Sequence, residues 1–522
     1  AYGIEDMIPE SGPGLTLVML IALPFIWALP QSLVAAELGS ARPQEGGYYK
    51  WVQEALGEYW GFQAGWWRTI SIYVDNTIYV VLAGGYIASY WSLSPGAGMA
   101  IKIAMILVMT YINIRGVKDV GSVSTALSAL VIFAFAMIAI CGFMNWTQNP
   151  FVPFTADGEI MGVSGIAMKD WIYYIGMGIS IGMWMYSGYE SMSTIAGEIK
   201  NPMVIPKGTL LALPLIMSVY VFSTLGGLAS LGRWDEWGTE PGTIGYADVV
   251  QEFWGAGFAV FFVIVAVLAQ CSIYNTYIAS GSRGFFALAD DHLAPPIFVK
   301  CDKKYGVPYV SVLSVAVVNI ILCPLPFETI VVVDVFLLVS SYVMIFISAM
   351  ILRKRIPAKE YGFMIPGGYG TLCLVCIVPC VIAFLGFFIN GTDFFIGGMI
   401  GIVSGPILYI IWKLRYGGLA KKDPALHPLN PRTRLAVGDL RRIAFNLIVL
   451  AAMGLLAYPW LHWFEGEWGP EYYAETYGGG FLANFDLMLN SIGAISILVG
   501  VLAVVIYAVS RKIEPRKGVS NN

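Results

Sequence analysis

Charge is scarce in this 522-residue chain, because Asp, Glu, Lys and Arg together make up only 12% of it. A soluble domain carries about 25% charged residues, so the chain has too little charge to cover a water-exposed surface of its size. This excludes a soluble enzyme and a nucleic-acid binder. Disorder is excluded for the opposite reason, because 57% of the residues are hydrophobic and a disordered chain has few to bury. The composition therefore indicates a polytopic membrane protein.

Histidine is also rare, and His292, His427 and His462 are the only three in the sequence. No nucleophile–base pair and no cluster of metal-ligating residue types stands out along the chain. We therefore expect a protein that is not an enzyme and that needs neither a metal nor a cofactor.

Long apolar runs dominate the chain, and a membrane-spanning helix needs about 20 such residues. Thirteen runs meet the criteria of length and flanking helix breakers. They lie at 15–38, 60–92, 97–114, 120–144, 171–198, 206–232, 254–288, 309–325, 329–352, 369–390, 393–413, 443–461 and 483–510. The first ten residues read as the outer half of one more helix, and the stretch from Gly46 to Leu56 as an amphipathic or interfacial helix.

The remaining charges sort by sign between alternate loops. Acids occupy the loops around 157–159, 235–240 and 465–475. The opposite loops are basic, with Arg42, Lys50, Arg115, Lys118, Lys200, Lys207, Lys300, Lys303, Lys304, Arg353, Lys354, Arg355, Lys359 and the segments 413–442 and 511–517. The positive-inside rule then predicts that the basic loops and the C-terminus are cytoplasmic, in a multi-pass protein of the cell (inner or plasma) membrane.

Two apolar segments are interrupted by small or polar residues, at 2–6 around Gly3 and at 185–190 around Gly188. Interrupted helices in corresponding positions of two halves point to a transporter binding site near the bilayer midplane. Unwound backbone at that depth needs hydrogen-bonding partners, and a substrate or ion can be one. A simple packing kink is the alternative, but a kink does not require the acid Glu190.

Carboxylates at membrane depth are the sharper signal, because burying one costs a few kcal/mol even on lenient scales. Glu190 follows the second break and Asp75 lies almost at the centre of the run 60–92, whereas Glu5 and Asp6 follow the first break. We predict that these acids bind substrate. For each of them, helix capping or ion pairing with a residue such as Arg68 is the alternative.

Aromatic residues accompany these acids: Trp184, Tyr186, Tyr189 and Tyr79, the last on the same helix face as Asp75 at i, i+4. Carboxylates combined with aromatic faces suit an organic cation, through ion pairing and cation–π attraction. The chain has 73 aromatic residues (28 Phe, 16 Trp and 29 Tyr), so only the placement of these four beside the acids favours a binding role.

Several motifs resemble the amino acid–polyamine–organocation (APC) transporter superfamily. They are PFIWALP at 24–30, AEL at 36–38, PQEGGY at 43–48, GYES at 188–191, AGEIKNP at 196–202, ADDHLAP at 289–295 and FMIPGG at 363–368. The motifs GIED at 3–6, WGFQAGW at 60–66 and VDNTIY at 74–79 resemble the plant polyamine-uptake branch. That branch has Trp-Asp-Ser where this chain has Tyr189-Glu190-Ser191, which keeps an aromatic and an acid.

The resemblance implies an all-α polytopic membrane protein of the LeuT-type fold, with two inverted five-helix repeats and helices one and six unwound around the substrate. It divides the chain into a twelve-helix core at 1–415, a cytoplasmic linker at 416–442, and two appended helices with a basic tail at 443–522. It also implies that half of the first helix precedes Ala1. The appended region is a candidate contact for a homo-oligomer or a partner subunit.

The function expected from residues and resemblance together is a secondary active transporter of a small organic cation, a polyamine such as putrescine or spermidine. Its partners are this cation, membrane lipid and a coupling proton, with Glu190 as the proton-coupled group, while a sodium site near Ser280 and Ser282 stays open. Two alternatives remain: an amino-acid permease or exchanger of the same fold, and a non-transporting membrane subunit of a complex.

Overall fold

A computed structural model describes residues 2–43, 46–115, 120–157, 168–189, 204–240 and 242–514, and these residues form helices and no β-strand. The helices are α1 (Ile4–Ser11), α2 (Pro13–Leu23), α3 (Leu29–Ala41), α4 (Gly47–Leu56), α5 (Glu58–Tyr90), α6 (Pro95–Arg115), α7 (Val120–Met144), α8 (Met168–Met185), α9 (Val204–Ser230), α10 (Tyr246–Trp254), α11 (Ala256–Asp290), α12 (Tyr309–Leu322), α13 (Phe327–Arg355), α14 (Gly368–Gly386), α15 (Thr392–Tyr416), α16 (Asp439–Glu465), α17 (Gly469–Tyr477) and α18 (Phe485–Ile513). A π-helical turn at Pro24–Ala28 joins α2 to α3 in one span.

Helices occupy all thirteen apolar runs, so the sequence prediction of an all-α polytopic membrane protein is confirmed. In the described parts of the chain, eleven helices are long and apolar enough to cross a membrane. The other two runs hold α8, which has 18 residues up to Met185, and α12, which has 14. The half-helix predicted for the first ten residues is α1, and the predicted amphipathic helix is α4.

Helix α5 is the central element, because it packs against α11 on one side and α13 on the other and is buried over most of its length. Small residues allow this close packing: a Cβ on Gly281 of α11 would lie 2.7 Å from the side chain of Ile72, and one on Gly405 of α15 would lie 2.2 Å from that of Gln63. Helix α1 packs against α8, and α8 packs against α13. Helix α8, which precedes the second break, therefore contacts both α1, which follows the first break, and α13.

The appended helices α16 and α18 pack against each other, and buried polar contacts join α16 to the core. Near one end of α16, the Asn446 amide donates to the Tyr59 hydroxyl of α5 at 2.9 Å. At the other end, the Thr392 hydroxyl of α15 donates to Glu465 at 2.5 Å. These contacts fix α16 at two depths, while the division of the chain at 415 and 443 stays a prediction.

Candidate functional site

The first break lies at Gly3, whose backbone φ is +89°, and α1 starts at the next residue. A Cβ at Gly3 would lie 2.7 Å from the ring of Phe327, which opens α13. Only glycine fits both the left-handed backbone and this close approach. The first break is therefore held against the start of α13.

The two acids after this break are fully buried but already accept hydrogen bonds from the protein. One Glu5 oxygen accepts from the Gly3 backbone N–H at 3.0 Å, and the other accepts from the Tyr86 hydroxyl at 2.5 Å. Asp6 accepts from the backbone N–H and hydroxyl of Thr239, at 2.8 and 2.7 Å. Glu5 therefore holds the break itself, and Asp6 ties α1 to the loop that follows α9.

The second break follows α8, where Gly188 has φ +104°. Its backbone N–H donates to the Tyr342 hydroxyl of α13 at 3.2 Å. The Tyr186 hydroxyl donates to the Leu20 carbonyl at 2.9 Å, so the side chain is fixed against α2. Tyr189 is half-buried at the end of this described segment. Glu190, which we predicted to bind substrate and couple the proton, lies outside the described residues.

Asp75 lies between the two breaks, in the middle of α5, and its side chain is almost completely buried. The Trp184 indole N–H donates to its Oδ1 at 2.7 Å. The hydroxyls of Tyr79 and Tyr277 also face the carboxylate. The ring centroid of Tyr79 lies 6.1 Å from that of Trp184 and 5.3 Å from that of Tyr277. The carboxylate is thus surrounded by three aromatic side chains that present polar N–H or O–H groups to it.

This cluster contacts both breaks. The Trp184 ring packs edge-on against Phe327 at 5.5 Å, and Phe327 covers Gly3. On the other side, a Cβ at Gly188 would lie 3.1 Å from the Tyr277 hydroxyl. The structure therefore brings together five residues predicted from the sequence: Asp75, Tyr79, Trp184, Gly3 and Gly188. The oxygens of Glu5 and Asp6 are directed away from the cluster, to Tyr86 and Thr239.

Sequence reasoning missed Tyr277, Phe327 and Tyr342, which complete the surroundings of the two breaks. Tyr277 lies within the long apolar helix α11, where a single tyrosine does not stand out. Phe327 follows Pro324-Leu325-Pro326 and resembles any residue at a helix start. Their distance along the chain from Asp75 leaves no local pattern that identifies them.

The alternative ion site has different surroundings. The hydroxyls of Ser280 and Ser282 donate to carbonyls of their own helix, Tyr277 at 3.3 Å and Ala279 at 3.0 Å. Arg68, the basic residue deep in α5, donates to the Ser71 hydroxyl at 2.9 Å, and Ser71 donates to Asp334 at 2.6 Å. Arg68 thereby belongs to a polar connection between α5 and α13, about two helical turns from Asp75.

Chemically, a carboxylate enclosed by aromatic rings attracts an ammonium group in two ways. The negative charge pairs with it, and the ring faces attract it through their quadrupoles. Within the described ranges, no group of three or more His, Cys, Asp or Glu residues is placed to hold a metal ion. The cluster around Asp75 thus has the charge and the ring faces that an ammonium group needs.

Comparisons with known proteins agree with this architecture. A family model described as amino acid permease matches residues 8–411. The chain is 30% identical over 387 residues to the polyamine transporter RMV1 of Arabidopsis thaliana, covering 73% of this chain and 75% of that protein. It is 29% identical over 386 residues to the polyamine transporter PUT1 of Oryza sativa subsp. japonica, covering 72% of this chain and 68% of that protein. It is also 25% identical over 400 residues to the serine/threonine exchanger SteT of Bacillus subtilis (strain 168), covering 74% of this chain and 86% of that protein.

Proposed function

The chain belongs to the amino acid permease family of APC transporters, and from that premise we propose that it carries a polyamine such as putrescine or spermidine, coupled to protons. The relatives named as polyamine transporters support this substrate class. The basic loops and the C-terminus would face the cytoplasm, and the membrane would be the plasma or inner membrane, as the positive-inside rule predicts.

The observation that carries the proposal is the buried carboxylate of Asp75 among the rings of Trp184, Tyr79 and Tyr277. A carboxylate at membrane depth is costly unless a positive charge or several donors stabilise it. An ammonium group would stabilise it by ion pairing, and its methylene chain would pack against the same rings. Asp75 is therefore the proposed primary ligand, with Trp184 and Tyr79 as walls of the site and Tyr186 and Tyr189 covering it.

Backbone donors at the breaks favour a cation over an amino acid. An amino acid has a carboxylate that needs free N–H groups, and unwound backbone is the usual source of them. Here the Gly3 N–H is bonded to Glu5 and the Gly188 N–H to Tyr342. The resemblance to a serine/threonine exchanger keeps an amino-acid substrate as the second candidate.

A second ammonium group of a polyamine needs a second acid. We propose Glu190 for this role and for proton coupling, since it directly follows Tyr189 at the second break. Burial favours the protonated form of a carboxyl group, which makes it a suitable proton carrier. Glu5 and Asp6 remain proposed ligands, but a substrate would have to share oxygens that already accept bonds from Tyr86 and Thr239.

The test is uptake of labelled putrescine into proteoliposomes that contain the purified protein, with and without an imposed proton gradient. We expect accumulation with the gradient, competition by spermidine and no competition by excess serine. The variant Glu190→Gln should lose accumulation, whereas Asp235→Asn, which changes an exposed loop acid, should transport like the wild type. Uptake of labelled serine without any uptake of putrescine would replace the proposal with the amino-acid alternative.

A further inference from the structure

An apolar groove of about 410 Å³ runs between α8, α14 and α16, where the appended helix meets the core. Ile172, Ile175 and Ile179 line it from α8, and these residues recur along one face of the helix over about 10 Å. Trp460 of α16 closes it from the other side and donates its indole N–H to the Phe388 carbonyl at 2.6 Å. The groove therefore lies between two parts of the fold, and several of its lining side chains are exposed at the surface.

A second pocket, of about 360 Å³, continues this groove towards the end of the bundle opposite the basic loops. The two pockets are neighbours, since Tyr173 follows Ile172 on α8 and Asn390 follows Ile389 after α14. Unlike the groove, this pocket is polar and aromatic. It lies where amphipathic rings are enriched at the edge of a membrane.

The second pocket is walled by rings that contact one another. Trp468 lies 6.2 Å from Tyr173, 6.2 Å from Phe464 and 6.5 Å from Tyr473, measured between ring centroids. Rings arranged in this way present faces and edges to one cavity and attract a quaternary or primary ammonium group. The pocket therefore has the features of an aromatic cage.

The charges around this cage are unequal. Among the described residues that line the pocket, Asp170, Asp393 and Glu467 are acidic and Lys169 alone is basic. Lys169 lies 3.3 Å from Glu467 and over the Trp463 ring at 5.5 Å, at the rim of the pocket. The excess of carboxylates favours an ammonium group in the cage, and Lys169 leaves a place for a phosphate at the rim.

We infer that these two pockets form one site for a zwitterionic phospholipid from the surrounding bilayer. The acyl chain lies in the groove between α8 and α16, the ammonium group of phosphoethanolamine or phosphocholine enters the aromatic cage, and the phosphate meets Lys169. Phosphatidylglycerol is disfavoured, because its headgroup brings no positive charge to a pocket with three carboxylates. The lipid joins the appended helix to α8, the helix that carries Trp184.

The experiment uses purified full-length protein, stripped of lipid in detergent and supplied with phosphatidylethanolamine, phosphatidylcholine or phosphatidylglycerol. Native mass spectrometry counts the lipids that each sample retains. Ile175→Trp fills the groove from α8, and Leu456→Trp fills it from α16 in case the first variant does not fold. Asp170→Asn removes an exposed acid from the cage, and Leu374→Trp adds the same ring at an exposed position outside the groove.

We expect both zwitterionic lipids to be retained roughly tenfold more than phosphatidylglycerol. The groove-filling variants should lose this retention, Asp170→Asn should weaken the preference, and Leu374→Trp should match the wild type. Equal retention of all three lipids overturns the headgroup assignment. Unchanged retention in both groove-filling variants overturns the acyl-chain assignment. If free putrescine displaces the lipid, and Asp170→Asn is the only variant that loses retention, the pocket binds soluble cations and the proposal is overturned. None of these results depends on transport activity.

Discussion

Replacing Asp75 with asparagine separates the charge of the proposed substrate ligand from its shape. Asparagine has almost the same volume and keeps an oxygen that accepts the Trp184 indole N–H, which now lies 2.7 Å from Oδ1. Packing among the rings of Tyr79 and Tyr277 should stay as it is. The substitution removes the negative charge and turns one acceptor oxygen into an NH2 donor, to which the Tyr79 and Tyr277 hydroxyls can adapt by rotation.

The size of the expected effect follows from that charge. A hydrogen bond to a charged group is worth about 1.5–3 kcal/mol, and each 1.4 kcal/mol corresponds to a tenfold change in affinity. The KM for putrescine should therefore rise roughly 10- to 150-fold. The free energy of unfolding should not fall, because keeping a buried charge in the folded protein costs free energy. We expect the melting temperature of the substrate-free protein to stay the same or to rise.

The assay measures initial uptake over a range of putrescine concentrations, together with thermal unfolding of the same preparations. Asp235→Asn, in an exposed loop, controls for the loss of one acid. A different pattern would contradict the reasoning: if Asp75→Asn lowers the melting temperature and leaves KM unchanged, Asp75 is a structural partner of Arg68. In that case the cation binds elsewhere in the protein.

Two other substitutions test the backbone at the first break and the contacts at the basic end of the bundle. Gly3→Ala forces a Cβ onto a left-handed backbone, 2.7 Å from the Phe327 ring, and should lower the free energy of unfolding by about 1–3 kcal/mol. Gly96 has open space around it, so Gly96→Ala should leave stability unchanged. Equal thermal unfolding of the two variants would contradict this prediction. Burial alone would raise the pKa of Asp291, but Lys50 at 2.5 Å and hydrogen bonds from neighbouring side chains outweigh it and lower the pKa to about 2. Because this pKa lies below the ordinary 3.8, the stabilisation by ionised Asp291 is complete above about pH 4 and is lost as the pH falls towards 2. Between those pH values, the melting temperature of the wild type should therefore fall more steeply than that of Asp291→Asn.

The helices were predictable from the sequence because the signal for them is local. A run of apolar residues long enough to cross a bilayer has few alternatives, since its backbone polar groups must bond within the segment. The helix α5 at Glu58–Tyr90 and the run predicted at 60–92 agree closely for this reason. The pairing of Asp75 with Tyr79 was also predictable, because both lie on one face of the same helix.

The rest of the site depends on contacts between distant parts of the chain. Tyr277 and Phe327 reach the cluster around Asp75 from α11 and the start of α13, and nothing near them in the sequence indicates this. The same holds for Tyr86 and Thr239, which bind the two acids of the first break across 81 and 233 residues of chain. A sequence identifies buried acids, but it does not identify their donors.

Those donors distinguish the acids by function. Glu5 and Asp6 are held by donors that also fix the break and the loop after α9, so their oxygens have hydrogen-bonding partners in the protein before any substrate arrives. Asp75 is held mainly by side-chain donors of the aromatic cluster, and these can rotate towards a ligand without unwinding a helix. A cation that enters can therefore replace or supplement the donors of Asp75 at lower cost than those of Glu5 or Asp6. We therefore propose Asp75 as the primary ligand of the cation, and Glu5 and Asp6 as weaker ligands that mainly shape the site.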